Sequence, residues 1–202
     1  MVEVPRAPAG SFGRVTEKKS PVACDDRAKA ITNNPVGRNA ITVAQAQQFC
    51  IAAFDPGLNG GGAFLTREGL LACFDLPTIG ESAHRRIDAA NLADLLREHG
   101  PYAAAYVEQV GARPGQGVSS MFGFGQAYGT ILGVIGALAI PVRHVSPAKW
   151  KKALGLNSDG EASRARAIET WPTHAELLAR KRDHNRAEAA LLALYGLREG
   201  RP

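Results

Sequence analysis

Phe49-Cys50-Ile51-Ala52-Ala53-Phe54-Asp55-Pro56-Gly57 is an apolar run of six residues that stops on an acid and a Pro-Gly turn. A run this short, closed by turn residues, predicts a buried strand with Asp55 one step past the core. Ala103-Ala104-Ala105-Tyr106-Val107-Glu108 repeats the arrangement, an apolar strand that ends on a carboxylate. Ligands of open α/β sheets bind outside the carboxyl ends of the strands, so these two acids point to a shared site.

The flanking segments supply the rest of a sheet. Gly60–Thr66 and Leu70–Leu76 read as strands, and the Arg67-Glu68-Gly69 link between them is short enough for a hairpin. Ile87–Arg97 carries apolar residues at 87, 92, 95 and 96, the spacing of an amphipathic helix, and Gly100-Pro101 ends it. Pro141–Val145 predicts a fifth strand. Pro147–Leu154 predicts a helix with proline in its first turn, and two more helices follow over about 160–171 and 184–197. Three meandering strands followed by strands alternating with helices define an α/β mixed five-stranded sheet with one core. Residues 1–46 are rich in Pro, Gly, Lys, Asp and Asn without an apolar period, and read as a basic, disordered N-terminal arm, with one short helical turn near Asp25–Ile31. The domain proper spans 47–198. No apolar leader segment is visible near Met1, so no secretory signal is expected.

The 202 residues are 45% hydrophobic and 21% charged, which excludes a wholly disordered or fibrous chain. Cys24, Cys50 and Cys73 are odd in number and widely spaced, which argues against a disulfide scaffold or a cysteine zinc site and suits a reducing, cytoplasmic compartment. The formal charge of +5 is unevenly spread. Residues 1–49 hold 7 basic and 4 acidic side chains, residues 50–142 hold 5 and 8, and residues 143–202 hold 12 and 7. An acidic middle between basic ends is not the pattern of a purely charge-driven binder. The stretch between Arg113 and Arg143 has no charge, and Met121–Val142 is long enough to span a bilayer, with Gly125, Gly129 and Gly133 spaced by four. Gln126, Tyr128 and Thr130 interrupt it, and a core or interface helix is the expectation rather than a membrane span.

A third acid, Glu188, falls in Asp183-His184-Asn185-Arg186-Ala187-Glu188-Ala189-Ala190-Leu191-Leu192, where Asp183 reads as a helix N-cap and His184 shares a face with Glu188. Carboxylates from separate segments suit a hard divalent ion bound through oxygen, as Mg²⁺ prefers, and two such ions about 4 Å apart would serve phosphodiester hydrolysis. Lys149, Lys151, Lys152, Arg164, Arg166, Arg180, Lys181, Arg182 and Arg186 lie near the last acid in sequence and are candidates for holding phosphates.

Ile51-Ala-Ala-Phe-Asp-Pro-Gly-Leu-Asn-Gly60, Tyr106-Val-Glu-Gln109 and Arg186-Ala-Glu-Ala-Ala-Leu-Leu-Ala193 together resemble the three motifs of RuvC-type Holliday-junction resolvases. Gly125-Gln-Ala-Tyr-Gly129 is similar to that family's stretch after the second motif, and Ser146-Pro-Ala-Lys-Trp-Lys151 to an element of its phage and prophage members. The resemblance covers residues 49–198. It implies an RNase H-like fold, a homodimer, and Mg²⁺- or Mn²⁺-dependent incision of branched DNA leaving a 5′-phosphate and a 3′-hydroxyl, in recombination and repair. It carries metal-binding and catalytic roles onto Asp55, Glu108 and Glu188. Three residues before the last acid the family has Asp or His, where this chain has Asn185. The resemblance therefore leaves the fourth ligand to His184 or Asp183, or to water. A second departure is Gly111, where relatives often carry an aromatic wedge; Phe122 and Phe124 are the substitutes at hand. The same resemblance gives the uncharged segment a place in a dimer interface, in a cytoplasmic protein of bacterial or phage origin.

Two other classes compete. An actin-like phosphotransferase also has a strand ending in Asp near glycines, but needs a second phosphate-binding hairpin with another Asp, and none follows residue 142. A nuclease for flaps, forks or RNA, or a catalytically impaired DNA-binding member of the fold, shares every motif.

Overall fold

Three consecutive apolar segments fold back on one another as β1 (Cys50–Asp55), β2 (Gly61–Leu65) and β3 (Leu70–Asp75). A two-residue ladder of β4 (Thr78–Ile79) and β5 (Arg86–Ile87) follows, then α1 (Ala89–His99), β6 (Tyr102–Glu108), α2 (Val118–Ala137) and β7 (Val142–Val145). The chain continues with α3 (Pro147–Ala153), α4 (Gly160–Thr170), short 3₁₀ turns at Pro172–Leu178 and Lys181–Asp183, and α5 (His184–Glu199). This computed structural model describes residues 50–199 except 110, 112–114 and 116; the arm expected over 1–46 lies outside the described residues.

The main sheet runs β3-β2-β1-β6-β7. β1 pairs antiparallel with β2, and β2 with β3, whereas β1–β6 and β6–β7 are parallel. This is the mixed five-stranded sheet flanked by helices that the sequence predicts. Side chains alternate across it, as the two-residue strand period requires. Ile51, Ala53, Ala63, Leu65, Ala104 and Tyr106 share a core with α5, and Cys50, Ala52, Phe54, Phe64, Ala105 and Val107 share one with α1 and α2.

α5 is the central helix. Every residue from Ala187 to Ala193 is buried, because the helix lies on β1, β2 and β3 and is covered in turn by α4. Its small residues allow that close seat. A Cβ on Gly196 would lie 2.6 Å from ring carbons of Tyr106, and one on Gly61 would lie 2.4 Å from the Asn185 carbonyl oxygen. α2 buries Ala127, Ile131, Val134 and Ile135 and leaves Phe122, Gly125, Gln126, Gly129, Gly133 and Gly136 exposed.

Two local outcomes depart from the sequence pattern. Ile87 was expected in the first helix but is buried in β5, because the Asp88 side chain accepts the Asn91 amide at 3.1 Å and starts α1 at Ala89. Asp183 was expected to cap α5, yet its carboxylate turns back to the Arg180 amide at 2.8 Å and closes the preceding 3₁₀ turn. Two-residue strands and single-turn 3₁₀ segments are too short to carry a period, which is why the β4–β5 ladder leaves no sequence signal.

Alanine in an exposed helix is favoured over glycine by about 1 kcal/mol, so Gly196→Ala would ordinarily stabilise. Here the Tyr106 ring occupies the space, and the variant is expected to lose about 1–3 kcal/mol in urea unfolding. A gain would show that α5 is not seated this closely.

Candidate metal centre and nucleic-acid interface

The parallel β1–β6 register pairs Phe54 with Val107, so the next residues, Asp55 and Glu108, emerge side by side at the carboxyl edge of the sheet. Glu188 comes to the same place from the start of α5. One carboxylate oxygen from each of Asp55, Glu108 and Glu188 lies within 4.8 Å of the others. Glu108 and Glu188 are buried and Asp55 is half-buried. This arrangement brings together the three acids that the sequence singled out, from segments 53 and 80 residues apart in the chain.

Three donors serve the cluster. The buried Trp150 indole donates to Glu108 Oε1 at 3.1 Å. Lys151 Nζ lies 2.7 Å from Glu188 Oε1, with both side chains less than 15% exposed, and also sits 5.2 Å from the Trp150 ring centre. Buried Ser163, on α4, donates to the same Glu188 oxygen at 3.1 Å. Lys151 was anticipated as a phosphate contact, whereas Trp150 and Ser163 had no assigned role. A buried tryptophan needs an acceptor for its N–H, and that need is the one signal that could have pointed at Trp150.

Crowding acids away from water raises their proton affinity. Burial drives the Asp55 carboxyl well above the ordinary carboxylate range, and the Glu108 and Glu188 charges add to the rise, against an opposing pull from Lys151. Burial also raises Glu108, although hydrogen bonds with Trp150 and Asp55 counteract it. Three carboxylates on three elements, all oxygen donors and mutually repulsive, fit a hard divalent cation, and the cluster could hold one.

The other candidate ligands, Asp183 and His184, are not among the three residues of this cluster. Asp183 is buried and its oxygens are taken by Arg180, at 2.8 Å from Nη2 and 2.8 Å from the backbone amide. His184 lines the adjoining cleft with Asp55, Lys151, Lys181, Arg182, Asn185 and Glu188. Its Nδ1 is 3.0 Å from the Lys181 carbonyl, which can only accept, so in the neutral imidazole this nitrogen donates and Nε2 is the one with a lone pair.

The cations divide into two groups. Arg186 binds Asp75 at 2.5 and 2.6 Å, tying α5 to β3. Arg164 joins Glu161 at 2.9 Å to the Leu178 carbonyl at 2.9 Å, and Arg180 holds Asp183. Arg166, on the exposed side of α4, pairs with Glu169. Among the described residues, Lys149, Lys152, Lys181 and Arg182 form no ion pair and are exposed.

Sheet order, a parallel central pair and acids at its carboxyl edge define an RNase H-like α/β fold carrying an acidic centre. The particular version is RuvC-like. The structure of Thermus thermophilus RuvC in complex with Holliday junction substrate matches with a TM-score of 0.54 and 18% identity, over 75% of this chain and 96% of that one. Another Thermus thermophilus RuvC structure matches at 0.52 and 21%, over 75% and 97%. At these identities the likeness is one of fold. No protein-family model and no curated protein sequence matches the chain.

The acids set a pH dependence with a definite sign. Asp55 and Glu108 bind protons more tightly folded than unfolded, so the stability they contribute is present while they are protonated. It is lost as the pH rises above the ordinary carboxylate range through their raised values. In chelator-treated protein the urea midpoint should fall as the pH rises across the window that opens above the ordinary carboxylate range of about 4, and Asp55→Asn should flatten that fall. A wild-type midpoint that rises across this window contradicts the buried-acid description.

Proposed function

We propose that this chain is a divalent-metal-dependent endodeoxyribonuclease that hydrolyses phosphodiesters in branched DNA, with four-way junctions as its substrate. The observation that carries the reading is the convergence of Asp55, Glu108 and Glu188 at the carboxyl edge of a RuvC-like sheet, beside a cleft of about 680 Å³ lined by Lys181 and Arg182. Two Mg²⁺ or Mn²⁺ ions held by these carboxylates would supply Lewis-acid activation of a water and neutralise charge on the scissile phosphate. His184 is the further ligand in this reading, through Nε2, with Asp183 committed to Arg180.

The protein's own groups do the remaining work. Glu108 is oriented by Trp150, and Glu188 by Ser163 and Lys151. Lys151 also places a positive charge where a phosphate would approach the acids. Lys149, Lys152, Lys181 and Arg182 form the backbone track, whereas Arg164, Arg180 and Arg186 serve the fold. Phe122, 68% exposed in the second turn of α2, is the aromatic open to stacking on a base. A homodimer through the uncharged outer face of α2 belongs to the same reading, as does a cytoplasmic setting in a bacterium or phage.

The deciding experiment presents the purified protein with synthetic four-way junctions, forks, flaps and RNA duplexes in Mg²⁺ or Mn²⁺. Junction incision is expected, with Asp55→Asn and Glu188→Gln reducing it to background while junction binding persists. Preferred cutting of flaps, forks or RNA would replace the substrate, and binding without any cutting would make this a DNA-binding member of the fold.

Salt dependence separates the two groups of cations. Replacing Lys149, Lys152, Lys181 or Arg182 with alanine should lower the slope of log K against log salt by about 0.7–0.9 per lost phosphate contact. Replacing Arg180 or Arg186 should instead lower the unfolding midpoint and leave that slope in place. The reverse pattern would move the DNA track elsewhere.

A further inference from the structure

Asn185 and Arg85 meet on one short turn. The turn is Pro56–Gly60, directly after Asp55, and it carries no regular hydrogen-bonded partner strand. Asn185 Nδ2, at the start of α5, donates to the Asn59 carbonyl at 2.6 Å. The Arg85 guanidinium donates to the same turn, through Nη1 to Asn59 Oδ1 at 2.8 Å and through Nη2 to the Leu58 carbonyl at 2.7 Å. Its Nε, at 3.1 Å from Thr78 Oγ1, anchors the same side chain to the β4–β5 ladder. The seam is tight as well as bonded, since no Cβ fits at Gly61 against the Asn185 carbonyl.

The placement of these contacts is what gives them meaning. Asn59 follows Asp55 by four residues, and Asn185 precedes Glu188 by three, on the same side of α5. The Asn59–Asn185 bond therefore joins the two segments that deliver two of the three clustered acids. Those segments belong to different elements and are pushed apart by like charge. A fixed distance between them needs a tie close to the acids, and this bond is one helical turn from Glu188. A primary amide suits the position because its N–H donates to the carbonyl, whereas a carboxylate there would face that oxygen as a second acceptor.

We propose that Asn185, with Arg85 bracing the same turn, is a positioning residue that sets the spacing of Asp55 and Glu188 and thereby the affinity of the carboxylate cluster for divalent ions. The inference rests on the metal-centre reading above. It assigns Asn185 a tie rather than a ligand's place, and it gives the β4–β5 ladder a task, which is to carry Arg85. Outer-shell partners of metal ligands typically govern affinity by 10- to 100-fold, and a tie between ligand-bearing segments acts in the same way.

The test is Mn²⁺ binding by calorimetry on the full chain, for wild type, Asn185→Ala, Asn185→Asp, Arg85→Ala and Arg85→Lys, with thermal unfolding and hydrogen exchange of residues 56–61 recorded for each. Asn185→Ala and Arg85→Ala are expected to raise the Mn²⁺ Kd about tenfold or more and to speed exchange in the turn. Arg85→Lys should recover part of the affinity, since one of the two forked bonds can be remade. Asn185→Asp is the sharpest variant. A tie predicts weaker Mn²⁺ binding from it, whereas a ligand position awaiting its acid predicts tighter binding. Tighter binding by Asn185→Asp overturns the proposal, as does a Kd within twofold of wild type in both alanine variants. A loss of affinity that merely tracks the unfolding midpoint, with Arg85→Lys no better than Arg85→Ala, also overturns it. If the wild type binds Mn²⁺ but cuts no nucleic acid, the nuclease reading fails while the comparison of affinities still decides the tie. If the wild type takes up no Mn²⁺, the tie has no metal centre to set and falls too.

Discussion

Three carboxylates held within reach of one another, and largely away from water, are the constraint that the rest of this structure answers. Two unit charges about 4 Å apart repel by roughly 4 kcal/mol at the effective dielectric of a protein surface region, and by more where water is excluded. Left alone, Asp55, Glu108 and Glu188 would splay. The fold prevents this by mounting two of them on neighbouring parallel strands, whose ladder leaves no freedom of spacing, and the third on a helix pressed against those strands. Burial first, and repulsion added to it, then appear as raised proton affinity in Asp55 and Glu108 rather than as movement. The peripheral helices after β7 bring offsetting groups inward: α3 supplies Trp150 and Lys151, and α4 supplies Ser163.

The basic end of the chain acquires a more specific meaning in this light. Its cations are not one patch. Arg186, Arg164 and Arg180 are consumed in bonds that seat α5, join α4 to the following 3₁₀ segment, and close the turn before α5. Lys151 is drawn into the acids. Among the described residues, Lys149, Lys152, Lys181 and Arg182 stay exposed and outside any ion pair, and Lys181 and Arg182 line the cleft. Guanidinium forks are suited to holding carboxylates and carbonyls in fixed geometry, whereas lysine ammonium groups act as point charges, which matches this division except at Arg182 and Lys151.

Much of this was readable in advance because it rests on local signals. Apolar runs closed by Asp-Pro-Gly or by Glu mark strands that end at an acid, and the Ala-Glu-Ala-Ala-Leu-Leu run marks a helix that carries Glu188. Burial makes those patterns distinctive, since a solvated strand or helix would have to alternate. The failures are equally physical. Asp183 has the composition of an N-cap, and only the proximity of Arg180 turns it away from α5. Asn185 looks like a missing acid in one dimension and is a bond to Asn59 in three. Ser163, in a helix of ordinary polar composition, carries no signal at all until α4 is laid over α5.

The sequence by itself determined the α/β class, the strands that end in Asp55 and Glu108, and the helix that carries Glu188, because each follows from hydrophobic periodicity and chain-breaking residues within a dozen positions. Only the tertiary structure decided which polar groups serve those acids and which serve the fold. Hydrogen bonds such as Trp150 to Glu108, Asn185 to Asn59 and Arg186 to Asp75 join residues 42, 126 and 111 positions apart. Their formation depends on orientation within a few tenths of an ångström, and no local pattern of residue types encodes that.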